Sequence, residues 1–218
     1  MRLSSWVMVL AACGCAAAPA PPAASPARPK SSTEAALESL TARPGWLFPF
    51  AACPADVFPG TAVPVTYLDE ACAPDLQSCL DRCRASDANA CYAAALRTQR
   101  MKTPADFWAA LFLRACRLGV ASGCTNRAAG MVVDETDDPV VWRCASRTFE
   151  SMCDLNDPWA CAMWGSSLLR GRGVDRDLAR ARAVLSKACL RGEDDPACAA
   201  GRIVLEQVKA AAGGAEIP

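Results

Sequence analysis

Fourteen cysteines and no histidine set the chemistry open to this 218-residue chain. A thiol can attack as a nucleophile, bind a soft metal or close a disulfide. The missing histidines remove Ser-His-Asp and Cys-His activation and every His-containing zinc site. An enzyme built from these residues has only carboxylate, Lys, Tyr, Ser or Cys chemistry to use. Eight of the cysteines are ordered: Cys83 and Cys91, Cys116 and Cys124, and Cys153 and Cys161 are each eight apart, while Cys189 and Cys198 are nine apart. The first members of these pairs step by 33, 37 and 36 residues. In an oxidising compartment such spacing reads as disulfides first. A zinc cluster from Cys79, Cys83 and Cys91 is disfavoured, because the close Cys-x-x-Cys knuckle is absent.

The N-terminus places the chain in such a compartment. Arg2 precedes a short apolar run and then small residues, the pattern of an export signal too short for a stable membrane-spanning helix. Leu10-Ala11-Ala12-Cys13 resembles the bacterial lipobox, which implies cleavage before Cys13 and acylation of its thiol. The alternative is a simple secretory signal cut near Ala18. Gly14 follows the cysteine in place of Asp, and by resemblance to known sorting rules this favours the outer membrane. Residues 16–30 are rich in Ala and Pro with no apolar period, a linker of polyproline character.

Elements that could position the cysteines follow from the intervals. A period in the mid-thirties is the spacing of a helix-turn-helix array. Polar, turn-forming residues lie inside each pair, such as Asp154-Leu-Asn-Asp-Pro-Trp159. Between pairs, apolar residues step by three and four: Trp142, Ala145, Phe149 and Met152, then Leu178, Ala181, Leu185 and Ala188, and earlier Trp108, Leu111 or Phe112, and Ala115. Each series forms one buried helix stripe. Asp157-Pro158 and Asp195-Pro196 supply a capping carboxylate and a first-turn proline, as do Asp138-Pro139 and Thr103-Pro104 for other helices. Gly171-Arg-Gly173 ends a helix. Ser31 and Glu34 predict a capping box opening a helix through about Thr41. Each cysteine pair then joins the end of one helix to the start of the next. Closing so short a loop is worth roughly 2.5 kcal/mol.

Residues 160–189, ACAMWGSSLLRGRGVDRDLARARAVLSKAC, resemble the Sel-like repeat family, a relative of the tetratricopeptide repeats. Ala160, Gly165, Gly171, Gly173, Val174, Asp177 and Ala181 match the family pattern. Trp164, Leu168 and Arg180 stand where the family has Leu, Tyr and Lys. The added cysteine staples are similar to the Helicobacter cysteine-rich protein branch. The resemblance implies an all-α fold, a short right-handed α/α solenoid of helix-turn-helix repeats with inter-repeat disulfides. The full motif covers one repeat. Repeats over 71–122 and 123–152 keep the staple and the stripe but lose the Gly-x-Gly-Val turn. The expected organisation is a signal over 1–12, a linker over 13–30, an N-terminal cap over 31–70, the solenoid over 71–212 and a tail over 213–218.

Six cysteines stand outside the ladder. Cys13 is the expected lipid anchor, and Cys15 is either unpaired or a second acylation option. Cys53 is expected to pair with Cys72 or Cys79, closing the N-terminal segment over the first helices. Cys79 also fits as a core residue, since later repeats place Phe112, Phe149 and Leu185 there. Cys144 is expected to be a buried free thiol. The segment 45–50 is expected to dock as an end cap. Trp108, Trp142, Trp159 and Trp164 are expected to fill the narrow core, and the arginines of 170–182 to form a solvated face.

With zero formal net charge, nothing argues for wholesale nucleic-acid binding. No metal, cofactor or catalytic set is expected. The expected role is a membrane-anchored envelope scaffold that faces the periplasm or surface and binds another envelope protein or a peptide. The family resemblance alone implies an alternative, a β-lactam or peptidoglycan-fragment binder or weak β-lactamase. The sequence has no Ser-x-x-Lys, Ser-Asp-Asn or Lys-Thr-Gly to carry that chemistry; Lys102-Thr103 is followed by Pro104.

Overall fold

The computed structural model describes residues 30–48, 52–65, 75–133 and 137–213. Among these residues the secondary structure is entirely helical. The helices are α1 (Ser32–Thr41), α2 (Pro54–Val57), α3 (Leu76–Arg84), α4 (Ala88–Arg100), α5 (Ala105–Arg117), α6 (Ala121–Val132), α7 (Pro139–Asp154), α8 (Pro158–Arg170), α9 (Leu178–Leu185) and α10 (Pro196–Ala212). A 3₁₀ turn, Ser186–Cys189, extends α9. No described helix is long and apolar enough to cross a membrane.

Aspartates start most of these helices. Asp75, Asp87, Asp138, Asp157, Asp177 and Asp195 each accept a backbone N–H of the first turn of α3, α4, α7, α8, α9 and α10. Each such cap stabilises its helix by about 1 kcal/mol. The capping box of Ser31 and Glu34 is present on α1. Thr103 does not cap α5. Pro104 takes that position, and the Thr103 hydroxyl donates instead to the Thr98 carbonyl. The chain must first leave α4 through Lys102 at φ 54°, which turns the threonine back onto α4.

From α3 to α10 each helix packs on the next, and α6 also touches α8, as α8 touches α10. Short connections make successive helices hairpins. The stapled turns share one construction. Cys83 is bonded to Cys91, Cys116 to Cys124, Cys153 to Cys161 and Cys189 to Cys198, with Cα atoms 4.3–4.6 Å apart. These are the pairs picked out by spacing. Three residues after each first cysteine the backbone enters the left-handed region, at Ser86, Gly119, Asn156 and Gly192. In the first three turns the next N–H reaches back five residues, Asp87 to Arg82, Val120 to Ala115 and Asp157 to Met152. This is a Schellman closure, which satisfies the last carbonyls of one helix as the next begins. Four residues before each first cysteine lies a buried side chain, Cys79, Phe112, Phe149 or Leu185.

The core falls into an N-terminal block around Leu40, Leu76, Leu80, Leu111 and Phe112 and a C-terminal block around Phe149, Trp164, Leu168 and Leu185. Between them lies a sulfur-rich cluster of Cys116, Cys124, Met152, Cys153 and Cys161. Leu47 and Phe48 are buried in the first block with Trp46 against it, so this part of the expected 45–50 cap packs there, while residues 49–50 lie outside the described residues. Arg114 locks it there. Its guanidinium donates to the carbonyls of Cys83 at 3.1 Å, Trp46 at 2.9 Å and Arg84 at 3.2 Å, and lies over the Trp46 ring.

Two expectations about cysteine are corrected here. Cys144 is not a free thiol, and Cys53 does not pair with Cys72 or Cys79. Cys53 is bonded to Cys144 across 91 residues, with Cα atoms 5.7 Å apart. The segment 52–65 runs past the first hairpin. α2 packs on α5, α6 and α7, and Val57 and Phe58 cover the sulfur-rich cluster. Ala55 N–H donates to Thr148 Oγ1 at 3.3 Å, and Asp56 pairs with Arg147 at 2.7 Å. The cost of closing a loop grows only slowly with its length, so burial of Val57 and Phe58 decides where the segment docks. Cys79 is fully buried, as its register implies, and is also disulfide-bonded. Cys13, Cys15 and Cys72 lie outside the described residues, as do the export signal and all of the linker except Lys30.

Candidate functional site

The Gly171-Arg-Gly173 turn organises a cleft between α6, α7 and α8. Gly171, at φ 67°, ends α8 in the left-handed conformation. Gly173, at φ 69°, then passes so close to α7 that a Cβ there would collide with the Trp142 carbonyl. Arg172 between them is held at both ends of its peptide unit. Its N–H donates to the Ser167 carbonyl at 3.1 Å, and its carbonyl accepts from Ser146 Oγ at 2.6 Å. The guanidinium, exposed to solvent on its other side, lies over the Trp142 ring, 4.9 Å from the centroid.

Arg170 enters the same cleft from the last turn of α8. It donates to Ser166 Oγ at 2.7 Å and to Gln207 Oε1 of α10 at 3.0 Å. Burial, and then the charge of Arg172, pull its pKa below the ordinary guanidinium value. Both arginines therefore have neutral partners among the described residues. Asp138, four residues before Trp142, is engaged in capping α7. The cleft encloses about 480 Å³, and its apolar wall is made by Ala129, Val132, Val133, Trp142 and Met163. An apolar wall with a few convergent polar groups is the usual make-up of a ligand site.

A second polar cluster lies along the same helices. Tyr92 on α4 accepts from Asn126 Nδ2 on α6 at 3.3 Å, and Ser122 on α6 donates to Asp157, which caps α8. The cluster joins three hairpins in register. Burial, and then the charge of Asp157, raise the Tyr92 pKa above its ordinary value. A raised folded-state pKa stabilises fully below about pH 10, where the unfolded phenol begins to ionise, and that contribution is lost as pH rises towards the folded value. Tyr92→Phe has no phenol to ionise. The stability advantage of the native protein over Tyr92→Phe should therefore shrink between pH 8 and pH 11 in urea unfolding. A constant difference would contradict this placement of the phenol.

The tryptophans divide differently from the sequence expectation. Trp164 is buried, but Trp159 is 43% exposed. Trp159, Met163, Ser166 and Arg170 recur at helical spacing on one face of α8. The arginines of 170–182 form a largely solvated face, as expected: Arg172, Arg176, Arg180 and Arg182 are exposed, and Arg170 is half-buried. Arg176 Nε donates to the Leu169 carbonyl at 3.0 Å, and Arg180 pairs with Glu150 and lies over Trp164. The cleft itself was not among the sequence expectations. Its available signal was an arginine between two turn glycines, which forces that side chain against whatever the turn packs on. No protein-family model, no curated protein and no solved structure matches this chain.

Proposed function

We propose that the chain is an exported, membrane-anchored envelope protein whose helices form a short right-handed α/α solenoid of the Sel-like kind, acting as a scaffold for a protein or peptide. The observation that carries the binding role is the cleft between α6, α7 and α8, with its apolar wall and two arginines held by neutral groups. The recurring construction of the stapled turns supports the repeat reading, and the lipobox-like Leu10–Cys13 supports the anchor. A repeat stack offers a partner one continuous face made by every second helix, and Trp159 and Met163 share one face of α8. The test is a photo-reactive side chain at position 163, compared with one at the exposed position 143 of α7, in cells that make the protein. The reading expects a discrete protein or peptide adduct from position 163 and none from 143. Identical or empty adduct patterns would count against it. Intact mass of the membrane-extracted protein should show acylation at Cys13; an unacylated chain beginning after residue 18 would replace the anchor with simple secretion.

A further inference from the structure

We propose that the cleft takes the C-terminal end of a peptide, with its terminal carboxylate between Arg170 and Arg172 and its last apolar side chain against Met163 and Trp142. This rests on the scaffold reading above and names the chemistry its partner must carry. The first argument is charge. Two guanidiniums share one cleft with no carboxylate partner among the described residues, and the charge of Arg172 already weighs on Arg170. An anion between them relieves that repulsion. The second is shape. A guanidinium presents its donors as a planar fork that matches the two oxygens of a carboxylate. Arg172 lies over the Trp142 ring, a cation–π contact that uses no N–H acceptor of its own. The third is the neighbouring wall. A site for phosphate or a sugar-phosphate backbone has no use for Val132, Val133 and Met163 beside the cations. A terminal residue carries a carboxylate and an apolar side chain on one Cα, so both halves of the cleft are engaged together. The volume of about 480 Å³ suits such a chain end.

Preorganisation comes from the backbone. The arginine at 172 is placed by hydrogen bonds from Ser146 and to Ser167, and by Gly173 against α7, none of which a ligand must break. The backbone that carries this exposed side chain is therefore fixed before a carboxylate binds.

The experiment titrates the full oxidised chain with acetylated tetrapeptides ending in Ala, Val, Leu or Phe, each as the free acid and as the C-terminal amide. Binding is followed by calorimetry and by the Trp142 indole N–H resonance. The expected result is saturable binding of at least one free acid, at least tenfold weaker binding of its amide, and a further tenfold loss in Arg172→Gln with an unchanged melting temperature. Arg170→Gln should lose binding as well, but it also breaks the contact to Gln207, so Arg172→Gln is the deciding variant. The inference is overturned if no free acid binds at millimolar concentration, if acid and amide bind alike, if Arg172→Gln binds as the native protein does, or if inorganic phosphate or anionic phosphatidylglycerol vesicles displace the peptide at equal concentration. The two readings separate cleanly. A cross-linked partner at position 163 that persists in Arg172→Gln keeps the scaffold and removes the carboxylate site, whereas loss of the adduct from native protein removes both.

Discussion

Reduction with a phosphine should unfold this protein at 25 °C without denaturant. Among the described residues, more than half of the buried apolar side chains are Ala or Cys, which bury little area each. The large buried side chains, such as Phe112, Phe149, Leu111 and Leu168, are spread along two separate blocks. Against this thin core stand four short-loop bridges worth roughly 2.5 kcal/mol each by the chain-entropy model. The Cys53–Cys144 bridge, closing 91 residues, is worth about 4.5 kcal/mol when taken alone. Their combined contribution rivals the total stability of about 5–15 kcal/mol usual for a domain. Far-ultraviolet circular dichroism should thus show loss of most helix on reduction, and its return on reoxidation. A graded version removes one staple. Cys153→Ser with Cys161→Ser should cost about 2.5 kcal/mol and lower Tm by roughly 5–10 °C. A reduced chain that keeps its helicity and a sharp thermal transition would show that packing alone suffices.

Gly173→Ala is expected to be the most damaging single-methyl change. Two penalties coincide there. The left-handed conformation at φ 69° costs a residue with a Cβ about 1–2 kcal/mol. The added methyl would also meet the Trp142 carbonyl and the Arg143 nitrogen, both backbone atoms of α7 that no rotamer change can move. Overpacking of this kind costs about 1–3 kcal/mol. The combined loss should be about 3 kcal/mol in urea unfolding. Gly171→Ala is the matched control, because it has nearly the same φ, of 67°, but its Cβ would meet nothing closer than 3.5 Å. That variant should lose only the conformational part, about 1 kcal/mol. Equal losses at the two positions would mean that the turn is free to lift from α7. Because the same contact places Arg172 over Trp142, Gly173→Ala should also weaken any ligand held by that arginine.

Much of this architecture could be read from local sequence. Asp-Pro pairs mark starts of α7, α8 and α10 because an aspartate caps and a proline fits the first turn without reference to anything distant. The apolar stripes 145–149–152 and 181–185–188 are buried because helical spacing alone sets which residues share a face. The failures are non-local. Nothing near Cys53 signals that it lies beside Cys144, since the deciding contacts are those of Val57 and Phe58 with the sulfur-rich cluster. The left-handed turn residue also escaped notice. Ser86 and Asn156 stand where Gly119 and Gly192 stand, so the stapled turns share a backbone angle and not a residue type. The cleft was hidden for the same reason, because Arg170 and Arg172 read as surface charge until the turn that brings them to one cleft, with Arg172 over Trp142, is seen in space.

The central claim is that this chain is braced by a regular set of disulfides, with one long bridge tying its N-terminal segment across α7. Proteolysis of the unreduced, thiol-blocked protein followed by mass spectrometry of the linked peptides tests it directly. Linked peptides are expected for Cys83–Cys91, Cys116–Cys124, Cys153–Cys161 and Cys189–Cys198, with a peptide joining Cys53 to Cys144. A Cys53–Cys72 peptide together with a blocked, free Cys144 would contradict it.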